Sequence, residues 1–365
     1  MARKKIEELD KNLALKPARR GDGMRWLRPG EARMAVRGLA WWEENEGRFY
    51  RLPLRAEGTV PAPVWELCQS TAGGQVAFRS DTPRLDVRVT TRAITHMAHM
   101  PLSASNGLAL YAGAPGTLRY WGSAIPDQES PSFSRTLFEA LPKKMREFRL
   151  HMPLYKELDD LELGVARGAR ILPPSPLALP RPVVFYGTSI TQGGCASTAG
   201  SDFVSTVGRR LNLDVVNLGF SGNGLGHPEV AELMTEIDAS LYVLDYAANV
   251  QAAEMRRTLP KFVRILQEGR PGTPILLITA LCYATYDFND ATRERHEVTR
   301  DAIMEFYARQ RRKGDRTIHL ADGFDLMPFG ADALTVDGGH PSEHGFQVMA
   351  ERLIPHLSRI LLRDH

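Results

Sequence analysis

The sequence predicts a two-part α/β protein, a β-sandwich followed by a five-stranded parallel sheet with helices on both faces. Three observations predict it. Residues 35–172 are short apolar runs cut by Gly, Pro, Asp and Asn, with Leu85, Val87 and Val89 alternating against Asp86, Arg88 and Thr90, the period of a half-buried strand. Five prolines then crowd the stretch Leu172–Pro182. Beyond them, short β-branched runs alternate with longer amphipathic stretches, the pattern of successive βα units.

Taken in order, the first thirty or so residues are polar and basic and suit a short helix behind the lead Met1-Ala2-Arg3-Lys4-Lys5. Strand candidates follow at Arg48–Leu52, Val76–Arg79, Leu85–Thr90 and Leu108–Tyr111. Many short strands with regular turns point to a sandwich, jelly-roll-like. The prolines of 173–182 lack backbone N–H groups and can continue neither ladder nor helix. The expected division is therefore an N-terminal extension 1–34, a sandwich 35–172, a linker 173–182 and an α/β domain 183–365. In the last, strands are expected at Val183–Tyr186, Asp214–Leu218, Leu241–Leu244, Ile275–Thr279 and Ile318–Leu320. Helices are expected near 202–212, 228–238, 251–268, 292–313 and 342–362. Five such units imply a doubly wound, flavodoxin-like sheet.

A chain of 365 residues fits two domains better than one. A net charge of +3 gives no reason to expect nucleic acid, and no DNA- or RNA-binding motif is present. Arg309, Arg311, Arg312 and Lys313 read as the solvated face of a helix. The three cysteines, Cys68, Cys195 and Cys282, are widely spaced and suggest neither a disulfide framework nor a zinc site. No apolar segment follows the basic start and no run is long enough to span a bilayer. The expected setting is cytoplasmic, without membrane or nucleic-acid partners; a homo-oligomer is compatible with the sequence.

The stretch most able to do chemistry is Gly187-Thr188-Ser189-Ile190-Thr191-Gln192-Gly193-Gly194, placed where the first parallel strand ends. A serine there stands at the carboxyl edge of the sheet, where open α/β folds bind ligands. By itself it reads as a helix cap. It is neither a Gly-x-Ser-x-Gly elbow, since residue 191 is Thr, nor a P-loop. Asp337 and His340, three apart in Asp337-Gly338-Gly339-His340-Pro341-Ser342, can set a carboxylate on Nδ1–H and leave Nε2 free to take a serine proton. Only His344 lies close enough in sequence to suggest a metal with them, and no metal or other cofactor is expected. Asn217-Leu218-Gly219-Phe220-Ser221-Gly222-Asn223-Gly224 can expose backbone N–H groups, and Asn249 follows the third strand; either could donate to an oxyanion, or be an ordinary turn and a helix cap.

These four blocks, in this order over residues 181–362, resemble the SGNH hydrolase superfamily, also called the GDSL esterases. The resemblance implies that Ser189 is the nucleophile and that Asp337 and His340 complete a triad. It makes Ser189, Gly222 and Asn249 the oxyanion hole. The usual Gly-Asp-Ser reads Gly187-Thr188-Ser189 here, and the usual Gly-x-Asn-Asp reads Ala247-Ala248-Asn249-Val250. The motifs look like a bacterial branch with a β-sandwich in front. The expected function is hydrolysis of short-acyl esters, acetyl first, of carbohydrates, through an acyl-enzyme. A lipid or thioester hydrolase on the same triad, or a non-catalytic carbohydrate-binding protein, are the rival readings.

In the front region Trp65 suits a core position. Trp41 and Trp42, if in a strand, would point to opposite faces, leaving one as a surface aromatic for a sugar. Cys195 reads as a buried small residue. The loop Met97–Asn106 could reach the active site of its own chain or of a neighbour.

Overall fold

A computed structural model describes residues 6–15, 17–18, 23–127, 130–328 and 333–361; the basic lead Met1–Lys5 and the expected helix end at Leu362 lie outside them. The parallel sheet starts as the proline run ends. Its strands are β11 (Val183–Gly187), β12 (Val215–Gly219), β13 (Leu241–Asp245), β14 (Ile275–Ile278) and β15 (Ile318–Ala321), in the order β12-β11-β13-β14-β15. All neighbouring pairs are parallel. Each strand lies within one or two residues of its expected place, because continuous apolar runs are what a sheet covered on both faces requires.

Alternate side chains feed two cores. Val184, Tyr186, Tyr242, Leu244 and Leu277 face the helices Pro228–Glu236, Ala252–Gly269 and Asp290–Arg312. Val183, Phe185, Val243, Leu276 and Ile278 face Phe203–Arg210 and Glu343–Leu361. In Ala252–Gly269 the buried Met255, Leu259, Phe262, Val263 and Leu266 recur at helical spacing, which fixes its inward face. The crossover of the first two strands puts the ends of β11, β12 and β13 side by side, and that is where the candidate site forms.

The front region contains two antiparallel sheets around a shared core. One has the order β1-β9-β4-β7, from β1 (Met24–Leu27), β4 (Leu85–Thr90), β7 (Ser132–Phe138) and β9 (Asp160–Ala166). The other runs β10-β3-β8-β5-β6, from β3 (Gln75–Ser80), β5 (Leu108–Gly113), β6 (Arg119–Ala124), β8 (Arg146–His151) and β10 (Ile171–Leu172), with β2 (Ala35–Arg37) also on β3. One strand, β1, precedes residue 35, where the strands were expected to start. Trp26 pairs with Gly164, which leaves room for the indole, and the Arg88 guanidinium lies 3.6 Å from that ring.

Two local expectations fail. Arg48–Leu52 is not a strand: Arg51 and Leu52 turn inward, and Leu52, Ala56, Val60, Val64 and Cys68 join the core of the parallel sheet. Trp41 and Trp42 lie in a turn. Trp41 is buried, its Nε1–H donating to Glu236 Oε2 at 2.9 Å, and Trp42 is half-buried with its ring 5.1 Å from Phe49. Among the described residues of the front region, the exposed aromatics are Tyr120 and Trp121 instead. Trp65 is half-buried against the parallel-sheet core. Among the described residues, no helix is long and apolar enough to cross a membrane.

Candidate active site

The sharp turn after β11 sets Ser189. A methyl group on Gly187 would lie 2.0 Å from Thr191 Oγ1 and 2.3 Å from the Asp245 carbonyl oxygen, so only glycine fits between the turn and β13. Thr188 is the N-cap of the short helix Ser189–Gln192, its Oγ1 accepting from Ile190 N–H. The cap is thus the threonine, not the serine, and the Ser189 hydroxyl is left for another partner. That partner is His340: Ser189 Oγ and His340 Nε2 are 2.8 Å apart.

The loop before the last helix shapes itself around Asp337. Asp337 Oδ1 accepts from the N–H groups of Gly339 and His340, at 3.1 and 2.8 Å, and Oδ2 lies 2.7 Å from His340 Nδ1. Partial burial opposes ionisation of this carboxyl. The two amide N–H groups and the imidazole outweigh it and hold the group down at about 2. The ionised carboxylate only accepts, so Nδ1 carries the proton and Nε2 presents a lone pair to Ser189. A hydroxyl on an imidazole oriented by a carboxylate is an arrangement that can activate the hydroxyl as a nucleophile.

The loop after β12 is tied down on one side and open on the other. Phe220 N–H donates to the Gly187 carbonyl at 2.9 Å, Ser221 N–H to Gln192 Oε1 at 3.0 Å, and Asn217 Nδ2 to the Thr191 carbonyl at 2.7 Å. Gly222 follows at φ +68° with nothing within 4 Å of where a side chain would stand. Among the described residues its N–H finds no acceptor, and neither does that of Ser189. Asn249 ends a single 3₁₀ turn after β13 and accepts from Gly224 N–H through Oδ1 at 3.3 Å, which leaves Nδ2 without an acceptor among the described residues. Gly224 in turn packs on the Gly187 carbonyl. Three free donors, on Ser189, Gly222 and Asn249, therefore lie on loops that interlock at one sheet edge.

Residues that the local sequence did not single out support this edge. Arg51 is fully buried and donates to the carbonyls of Ser70, Leu67, Asn217 and Gly219, so a front-region guanidinium holds the end of β12. Burial lowers it to about 10. Asp245, at the end of β13, accepts from Thr191 Oγ1 at 2.9 Å; burial, partly offset by that hydroxyl, raises its carboxyl to about 7. Neither residue carries a signal in the one-dimensional pattern, since each acts on a partner far along the chain.

The Met97–Asn106 segment reaches the site of its own chain. His99 sits at the tip of the turn between Met97 and Met100, its ring centroid 5.7 Å from that of His340. Ser103 Oγ donates to the Ser197 carbonyl at 2.6 Å. Cys195 is buried beside this segment at φ +72°, and burial, reinforced by Asp337, pushes its thiol up to about 12. His344, the neighbour suggested by sequence spacing, is exposed and is not part of this cluster.

Comparisons with known proteins agree with this architecture. Residues 180–358 match the GDSL-like Lipase/Acylhydrolase family, and residues 24–171 match the family described as the N-terminus of Esterase_SGNH_hydro-type. The crystal structure of a GDSL-like lipase from Bacteroides ovatus is 29% identical, with a TM-score of 0.84 over 93% of this chain and 98% of that one. Two more distant structures share the fold. The salicylyl-acyltransferase SsfX3 of a tetracycline biosynthetic pathway is 21% identical, with a TM-score of 0.76 over 94% of this chain and all of that one. A family two carbohydrate esterase from Cellvibrio japonicus is 13% identical, with a TM-score of 0.60 over 93% and 98%. No curated protein matches the chain.

Proposed function

We propose, for a chain that belongs to the GDSL-like lipase/acylhydrolase family and is a carboxylic ester hydrolase, that it cleaves short-acyl esters of carbohydrate alcohols through an acyl-enzyme on Ser189. The observation that carries this reading is the continuous relay from Ser189 Oγ to His340 Nε2 at 2.8 Å and from His340 Nδ1 to Asp337 at 2.7 Å. Ser189 Oγ attacks the ester carbonyl carbon while His340 Nε2 takes its proton. The carbonyl oxygen, now negative, is held by the N–H groups of Ser189 and Gly222 and by Asn249 Nδ2. His340 hands the proton to the departing alkoxide and the tetrahedral species collapses to the acyl-enzyme. Water then attacks, losing a proton to His340, and the carboxylic acid leaves as Ser189 recovers its proton. Asp337 stays ionised throughout and stabilises the imidazolium.

A short acyl group and a sugar alcohol suit the glycine-rich loops beside Ser189, which leave open space at Gly222. The Cellvibrio japonicus neighbour is a family two carbohydrate esterase, which is compatible with this. One observation favours a longer acyl chain: Val336, beside Asp337, and Phe288, in the loop after β14, are 49% and 89% exposed. Turnover of aryl acetate against aryl octanoate, with Ser189→Ala as control, tests both. Acetate is expected to be hydrolysed faster, and Ser189→Ala to lose several orders of magnitude in kcat. A faster octanoate moves the lipid-type reading into first place, and near-normal turnover by Ser189→Ala refutes the serine mechanism.

A further inference from the structure

Four side chains with metal-ligating atoms converge on the Ser189–His340 hydrogen bond from three separate parts of the chain. His99 arrives on the front-region turn, Cys195 on the loop behind Ser189, and Asp337 and His340 on the loop before the last helix. One ligand atom of each lies within 4.8 Å of the other three. We propose that these four residues form a site for zinc or a cation of the same preference, and that its occupation switches off ester hydrolysis; the second half rests on the function proposed above.

The donor set chooses the metal. Two imidazoles, a thiolate and a carboxylate suit a borderline-soft ion that accepts four tetrahedral ligands, whereas magnesium and calcium require all-oxygen shells. Zinc bonds of about 2.0–2.3 Å place ligand atoms about 3.3–3.8 Å apart, so the cluster must close by about 1 Å. His99 can supply that movement, since it is exposed at the tip of a two-residue turn, while Cys195 is buried.

Cys195 is the independent pointer. It is buried, its thiol has no hydrogen-bond partner among the described residues, and the ester mechanism does not use it. Its backbone stands at φ +72°, a region that favours glycine, yet the residue carries a ligating side chain into the cluster.

Inhibition follows from how His340 is engaged at rest. Nε2 is held by Ser189 at 2.8 Å and Nδ1 by Asp337 at 2.7 Å. A cation that takes either nitrogen displaces one partner and breaks the proton relay. Binding forms four metal–ligand bonds in place of metal-bound water, breaks the displaced partner's hydrogen bond to His340 and releases the Cys195 proton to solvent; where Nδ1 is the ligand, its proton moves to Nε2.

The test uses the full chain, stripped with EDTA. Zinc chloride is titrated against aryl acetate turnover, with magnesium chloride as control, and zinc binding is read separately by competition with a chromogenic zinc indicator. At ten times its dissociation constant zinc should leave about a tenth of the turnover, EDTA should restore it, and magnesium should do nothing. Cys195→Ser should keep its zinc-free turnover, and Cys195→Ser and His99→Ala should each need at least about tenfold more zinc for both binding and half-inhibition, measured against their own zinc-free rates. His99 is exposed, so its variant stays informative should Cys195→Ser fail to fold. Equal zinc competition by the wild type and His99→Ala overturns the proposal, as does full turnover in the zinc-loaded enzyme. The binding arm needs no catalysis: a chain that hydrolyses no ester but binds zinc through Cys195 and His99 supports the site and refutes the function proposed above.

Discussion

Asn249 offers a test in which the two ends of one side chain have different duties. Its Oδ1 accepts from Gly224 N–H at 3.3 Å, while its Nδ2 has no acceptor among the described residues. The first bond is long for N–H···O and contributes at most about 1 kcal/mol. Removing an oxyanion donor costs about 10²–10³ in kcat, or about 3–4 kcal/mol of transition-state stabilisation. Asn249→Ala deletes both ends, so kcat should fall by about 10²–10³ and the thermal midpoint by about 2 °C. Asn249→Asp keeps an acceptor for Gly224 but replaces the donor with a negative charge facing the oxyanion. Its midpoint should stay close to that of the wild type, while kcat falls at least as far as in the alanine variant. KM should move little in either, because the bond strengthens only as charge develops on the oxygen. The assay is kcat and KM on aryl acetate together with thermal unfolding. If Asn249→Asp keeps its rate while Asn249→Ala loses rate and midpoint together, the residue is a prop for the Gly224 loop and the donor role is wrong.

Three further outcomes are expected. Ser189→Ala, His340→Ala and the double variant should fall to within about tenfold of one another in kcat, because the relay works as a unit; a double loss equal to the product of the singles would refute it. Asp245 keeps its proton in the folded state up to about pH 7, against an ordinary value of 3.8, so the wild type should lose stability as pH rises between those values. At about 1.4 kcal/mol per pH unit the loss approaches about 4 kcal/mol. Asp245→Asn lacks this titration, so its stability relative to the wild type should climb by up to that amount from pH 4 to pH 8 in urea melts; a constant difference would show that Asp245 ionises normally. Arg51→Met should cost at least about 3 kcal/mol in the same melts, since three buried carbonyls and one half-buried carbonyl lose a charged donor, and a loss under about 1 kcal/mol would mean that water or a backbone shift replaces it.

The pattern along the chain was enough for whatever depends on neighbours in sequence. The strands Val183–Gly187 and Leu241–Asp245 were legible because a fully covered strand must be continuously apolar, and the helices because burial on one face imposes their period. The pairing of Asp337 with His340 was legible for the same reason, since a three-residue spacing in one loop settles it locally. The motif order suggested that Ser189 and His340 meet, 151 residues apart, but their 2.8 Å contact exists only once the first and last loops of the sheet share an edge. Other features had no local signature. Arg51 read as part of a strand, one of Trp41 and Trp42 as a surface aromatic, and His99 as one residue of a loop that could reach a site. Tertiary structure decided each of them, because docking the front region on the α/β core buries Arg51 and Trp41. The same docking carries His99 to the His340 ring. The turn after β11, packed on the end of β13, shuts Asp245 away from the water that would keep its carboxyl ionised. Burial by a distant segment leaves no periodic trace in the sequence that is buried, and that is the physical reason the candidate relay of Ser189, His340 and Asp337 could be read early while its surroundings could not.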